Sequence, residues 1–261
     1  MRKQSRIVAA VVLVASLAIF SWQTLRPREP MYKGKPLSEW LEAYASPDAT
    51  GILLRQKSPE SDEAMLHFGT NAIPTLLQML SGHDGPMKRW LLGQLRKQRF
   101  IAINISSASE RNRLATYAFK ILGPSASNAV PALISIHERH YSYDSQYAVD
   151  IALAHIAPPA KDAIPLLITD LAYGDTALYA LVQIHSRPEL SIPIFNKYLS
   201  CINAGSKHLA AEGLAAFGNQ ASNSVPNLLP LLTDTNIFVR QAATNALQAI
   251  APKAATQVGA K

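Results

Sequence analysis

ATYAFKILGPSASNAVPALI, residues 115–134, holds the unit from which most of the chain is built. Ala115, Ala118, Phe119 and Leu122 fall at i, i+3, i+4 and i+7, which is one face of a helix. Gly123 follows the last of them, and eight residues on, the step Ala129-Val130-Pro131 opens a second apolar stripe with Leu133 and Ile134. A glycine closes one helix where a residue without Cβ can take the left-handed conformation, and a proline starts the next where its missing N–H lacks an acceptor in any case. Two short amphipathic helices joined this way bury their faces only against neighbours of the same kind.

The unit recurs outward from this stretch. First stripes read Ala64-Met65-Phe68, Val149-Ala152-Leu153-Ile156, Ala177-Ala180-Leu181-Ile184, Ala210-Gly213-Leu214-Phe217 and Ala243-Ala246-Leu247-Ile250. Second stripes read Ile73-Leu76-Leu77-Leu80, Ile164-Leu167-Ile168-Leu171, Ile192-Phe195-Leu199 and Val225-Leu228-Leu229-Leu232. All have helical spacing, so no strand is required. Gly69 and Gly218 repeat the role of Gly123, with Ala157, His185 and Ala251 standing in elsewhere, and Pro74, Pro165, Pro193 and Pro226 repeat that of Pro131. Proline steps lie 34, 28 and 33 residues apart from Pro131 to Pro226 but 57 apart from Pro74 to Pro131. The excess predicts an inserted helix at about 82–105.

The pattern resembles the HEAT-repeat family, most plainly over DTNIFVRQAATNALQAIAP, residues 234–252, where Asp234, Val239-Arg240, Ala243 and Ala246-Leu247 meet each step of the family pattern. Towards the N-terminus the match decays, with Gln146 and Lys207 at the arginine position and Asn196 interrupting a second stripe. The opening Tyr32 to Leu41 is similar to a segment preceding such repeats in membrane-anchored bacterial HEAT proteins of unassigned role. There Ser38 is expected as an N-cap, and Trp40, Leu41 and Tyr44 as a lid on the first pair. The resemblance implies an all-α fold, an α-solenoid of stacked antiparallel helix pairs. It says little of activity, since such stacks serve unrelated functions; a scaffold or adaptor that binds another protein is expected from the union of an anchor, at least five helix pairs and no convergent catalytic set.

The first thirty residues predict an address. Arg2, Lys3 and Arg6 precede Ile7–Trp22, which carries no charge, and the uncharged span from Ile7 to Leu25 is roughly 28 Å long as a helix, near the thickness of a bilayer's hydrocarbon core. No small-x-small cleavage site follows it. Residues 1–28 therefore read as an uncleaved signal-anchor helix with its N-terminus in the cytoplasm, placing the repeat domain outside a bacterial inner membrane. The alternative is a secreted or periplasmic chain after signal cleavage. Residues 29–60 read as linker and capping helix, and residues 61–258 as the repeat domain.

Charge points to few partners. The chain has 25 Lys and Arg against 18 Asp and Glu, but residues 1–28 hold five of the basic residues and no acid, leaving a body of 20 against 18. Nucleic acid is thus not an expected partner. Within the body, Lys88, Arg89, Arg96, Lys97, Arg99, Arg111, Arg113 and Lys120 face one acid, Glu110, across residues 85–120. That run is a candidate contact for an acidic partner or phospholipid headgroups, with Trp90 and Phe100 beside it, or else a solvated helix face.

No GxGxxG, Walker loop, GxSxG or HExxH occurs. No catalytic residue, cofactor or metal is expected, although an enzyme of a HEAT-like lyase or glycosylase type remains the rival class. His137, His140 and Asp144 offer three possible ligands around one helix end, yet His137 stands where other pairs have Leu171 and Leu232. His155, His185 and His208 lie near first-helix ends, positions suited to carbonyl capping. Cys201, the one cysteine, reads as a small buried hydrophobe, with no disulfide possible within the chain.

Overall fold

A computed structural model describes residues 29–44, 59–82, 84–85, 90, 107–172 and 174–252. The segment read as an anchor and nearly all of the predicted insert lie outside the described residues. Among those described, no helix is long and apolar enough to cross a membrane.

Helices alternate between two layers, as the stripes predict. One layer holds α2 (Pro59–Phe68), α4 (Ala108–Leu122), α6 (Tyr143–Ile156), α8 (Asp175–Ile184), α10 (Ala204–Phe217) and α12 (Ile237–Ile250). The other holds α3 (Ile73–Ser81), α5 (Val130–Glu138), α7 (Ile164–Asp170), α9 (Pro188–Leu199) and α11 (Val225–Leu228), the last continued by a 3₁₀ turn at Leu229–Thr233. From α4 to α12, each first-layer helix packs on its successor, and each second-layer helix packs on the first-layer helix that follows it. The first-stripe residues of α4, α6, α8, α10 and α12 are all buried. Because so many are Ala, the helices lie close, and the leucines of the second layer fill the space between pairs.

The lid forms as expected, with one addition. Met31–Tyr32 and Lys35–Pro36 pair as a minimal antiparallel hairpin, so the first residues do make strand after all. Lys33 and Gly34 turn it with φ of 48° and 77°, both positive as a two-residue hairpin turn demands. Helix α1 (Leu37–Glu42) follows, with Leu37, Trp40 and Leu41 buried on α2 and α4. Trp40 donates its indole N–H to the Tyr32 carbonyl at 3.1 Å, and Tyr44 donates its hydroxyl to Asp62 at 2.5 Å. Ser38 is not the N-cap, because Pro36 already makes the helix start at Leu37; the Ser38 N–H donates to the Glu29 carboxylate at 3.1 Å.

Four other local expectations change. Gly123 and Gly218 end their helices at φ 52°, ψ −136° and φ 51°, ψ −132°, which has positive φ but is not left-handed helical, and only His185 at φ 31°, ψ 50° is. Ala157 copies the glycines at φ 60°, ψ −129°, whereas Ala251 ends α12 at φ −142° and replaces no glycine. Pro193 lies inside α9 rather than near its start, because in this shortest repeat the helix begins at Pro188. In the last pair, Pro230 removes the N–H that would bond back to Pro226, the helix tightens, and Leu231 turns inward where Leu229 was expected. Pro74, Pro131, Pro165 and Pro226 do sit in the first turn of their helices.

Candidate functional site

Two places gather chemistry. The first is an open groove of about 850 Å³ along the first layer. Tyr117 on α4, Tyr147 on α6 and Tyr179 on α8 enter it, one per helix, followed by Leu209 on α10. Each tyrosine sits on the helix face opposite its buried stripe; Tyr117 and Tyr179 hold one repeat position, which Ile151 fills on α6, and Tyr147 lies one turn before it. Tyr44 stacks on Tyr117 with ring centroids 5.9 Å apart and planes 18° apart, extending the row to the lid. Arg113, Lys120 and His155 line the α4–α6 end, while Asp175 at the α8 end accepts the Ser206 hydroxyl at 2.6 Å.

The basic run meets this groove only in part. Lys88, Arg89, Arg96, Lys97 and Arg99 lie outside the described residues. Arg113 lines the groove, but Arg111, about 200° round the same helix, reaches the Asp84 carboxylate at 3.7 Å. Asp84 also accepts the Ala108 N–H at 2.7 Å, and Glu110 closes a reciprocal cap with Ser107, so these charges hold the start of α4. Trp90 is exposed.

The second place is inside the stack. His137 in the last turn of α5, Asp150 in the middle of α6 and Asp170 at the end of α7 converge, all buried. His137 Nε2 lies 3.2 Å from Asp150 Oδ1 and 2.6 Å from Asp170 Oδ2. Neither approach has the angle of a hydrogen bond, and both ring nitrogens and Asp150 Oδ1 are left without a hydrogen-bond partner. Burial disfavours the charged imidazole, but Asp150, with Asp170 and Glu138, outweighs it and holds the His137 pKa above its ordinary value. Burial, reinforced by Asp170, pushes Asp150 up against the pull of His137.

Sequence reasoning found one member of this cluster and paired it wrongly. His140 sits past the end of α5 with φ 48°, packs its ring edge-on against that of His137 with centroids 6.2 Å apart and meets Gln146, and Asp144 is exposed in the first turn of α6; neither brings a ligand atom into the cluster. The available signal was position. Aligned on the stripes, Asp150 stands where other pairs have Leu178, Ala211 and Thr244, and Asp170 where they have Ile136 and Leu231. Of the histidines expected near first-helix ends, His155 lines the groove, while two meet backbone: His185 Nδ1 lies 2.8 Å from the Gln183 carbonyl and His208 Nδ1 lies 3.2 Å from that of Phe238. Cys201 is half-buried rather than buried, with its thiol donating to the Asn203 carbonyl at 3.3 Å.

Asp234 and Arg240, which carried the family resemblance, have structural work. Asp234 accepts the Asn236 N–H at 2.9 Å and Lys207 of the preceding pair at 2.7 Å, and Arg240 donates to the carbonyls of Asp234 and Thr235. Residues 225–254 match the family model described as HEAT repeat. No curated protein matches the sequence. Two engineered proteins of known crystal structure are similar in shape. One has a TM-score of 0.45 and 20% identity over 85% of this chain and 60% of its own. The other has a TM-score of 0.42 and 19% identity over 82% of this chain and 95% of its own. This chain thus spans 60% of the length of the first. Residues 225–254 thus form a recognised HEAT repeat, and the helices before it alternate between the same two layers through the described residues.

Proposed function

We propose that the chain is a non-enzymatic scaffold or adaptor that binds another protein along the first-layer groove, tethered to a bacterial inner membrane by residues 1–28. The observation that carries the reading is the row of Tyr117, Tyr147 and Tyr179, one aromatic per helix on an open face. Tyrosine offers large rigid contact area and a polar tip, and helical-repeat stacks present such extended faces to other proteins. Arg113 and Lys120 at one end suit acidic side chains on the partner. The tether rests on sequence alone: an uncharged stretch of membrane length behind three basic residues.

The test is co-purification of the full chain from native membranes after crosslinking, beside a Tyr147→Ala/Tyr179→Ala variant. A stoichiometric protein retained by the wild type and lost by the variant is expected. Equal retention by both would move the contact off the groove, and recovery of lipid alone would overturn the scaffold reading. Extraction of the chain by alkaline carbonate rather than detergent would remove the tether.

A further inference from the structure

We infer that His137, Asp150 and Asp170 form a binding site for one divalent transition-metal ion of the zinc class, which pins α5, α6 and α7 together. The inference is independent of what the groove binds.

Geometry comes first. One ligand atom from each residue lies within 4.8 Å of the other two, and all three residues are buried. A tetrahedral ion with bonds of about 2 Å sets neighbouring ligands about 3.3 Å apart. The 3.2 Å between His137 Nε2 and Asp150 Oδ1 already matches, and the 2.6 Å to Asp170 Oδ2 needs opening by a fraction of an ångström. A cavity of about 30 Å³ adjoins, lined by both carboxylates with Tyr143, Gln146, Tyr147, Gly174 and Thr176. That is room for a water as the fourth ligand.

Unmet bonding is the second argument. His137 is fully buried, yet its Nε2 lies close to two carboxylate oxygens without the geometry of a hydrogen bond to either, and Asp150 Oδ1 has no hydrogen-bond partner. Buried polar atoms rarely go unsatisfied, and an ion between them would satisfy both at once.

Charge is the third. Two carboxyl groups and one imidazole face one another there, and no Lys or Arg is among the described residues that line the adjoining cavity. The C-terminal ends of α5 and α7, whose free carbonyls carry partial negative charge, add to the same sign. A divalent cation suits these donors, and its binding displaces any proton that the imidazole or a carboxyl group carries. Calcium is a poor candidate, since it takes six to eight oxygen ligands and no imidazole. One nitrogen and two carboxylate oxygens suit zinc, cobalt(II) or manganese(II).

The full chain, in detergent and stripped with EDTA, would be titrated with Zn²⁺ and Co²⁺ by calorimetry and thermal melting. One equivalent bound, a melting temperature raised by several degrees and visible d–d absorption from the cobalt form are expected. Asp150→Asn and Asp170→Asn keep shape and should each weaken binding by at least 100-fold. Asp144→Asn, which alters an exposed neighbour, should leave it unchanged. Circular dichroism of the metal-free variants establishes that loss of binding is not loss of fold. Should an Asn variant fail to fold, His137→Leu, which restores the residue other pairs carry, serves instead. Absence of any bound ion or melting shift would overturn the site, as would binding that survives Asp150→Asn and Asp170→Asn.

Discussion

The middle and the last of the helix pairs solve the same packing problem in opposite ways. In the last pair, polar side chains stay at the rim: Lys207 meets Asp234, Arg240 covers two carbonyls, and the corresponding inward positions hold Leu231 and Thr244. In the middle, the inward positions hold Asp170 and Asp150, with His137 where Leu232 stands later. Because the last pair stacks without them, the buried imidazole and carboxylates are not a requirement of the fold. Their presence asks for another explanation, which the metal site supplies.

The sharpest way to break that contrast is to remove one member of the polar core without metal. Asp170→Ala leaves His137 and Asp150 buried and mismatched, and is expected to destabilise the EDTA-treated chain by ~3 kcal/mol, the scale of a broken buried ion pair. Replacing all three by Leu, so that the middle pair resembles the last, should keep or exceed wild-type stability for the same reason. Urea denaturation followed by circular dichroism measures both. A silent Asp170→Ala would show that the three residues are not coupled.

The apolar side of the comparison has its own tight point. A Cβ added at Gly213 in α10 would lie 2.7 Å from two ring carbons of Phe195, which is fully buried against Phe217. Gly213→Ala is therefore expected to lose ~2 kcal/mol by overpacking, despite alanine's better helix propensity. Adding Phe195→Leu should recover part of that loss, so the double mutant would be less destabilised than the sum of the singles. Additive effects would mean that the ring can move aside.

These positions also show what a sequence discloses. The first stripes were legible because helical spacing and burial are the same statement: a face at i, i+3, i+4, i+7 has nowhere to go but into the stack. Pro74, Pro131, Pro165 and Pro226 were legible because the chemistry of a missing N–H is local. Pro193 was not, since where α9 begins depends on the preceding loop, and Leu229 was not, since Pro230 shifts the turn after it. Of the buried cluster, His137 stood out as a polar residue in a leucine slot. Its partners lie 13 and 33 residues further on, in two other helices, and only the stacking brings them together. The groove tyrosines fell between the stripes, and nothing but the layer arrangement puts them in one row.

Smaller effects test how far the repeats share one backbone. Ala157 holds the conformation that Gly123 and Gly218 adopt, and a Cβ is disfavoured there whatever the space around it. Ala157→Gly should stabilise by about 1 kcal/mol or less, after the entropy of the freer unfolded chain is subtracted, and Gly218→Ala should destabilise by about 1 kcal/mol. Thermal melting of the two variants would show opposite shifts. Shifts of one sign would mean that the two helix ends are not equivalent.

The smallest effect belongs to the rim. Lys207 and the Asn236 N–H hold the Asp234 carboxyl below its ordinary pKa. A carboxylate whose pKa is depressed in the folded state stabilises the fold above its unfolded pKa, and the contribution is lost as pH falls through the folded value. Lys207→Met should therefore lower stability at neutral pH by less than any variant above. Below the pH at which Asp234 takes up its proton, the difference from wild type should vanish. Denaturation midpoints of the two chains at neutral and strongly acidic pH decide it. A gap that persists unchanged into acid would mean that Lys207 stabilises through the packing of its aliphatic stem, and the rim would then be as much a packing device as the core.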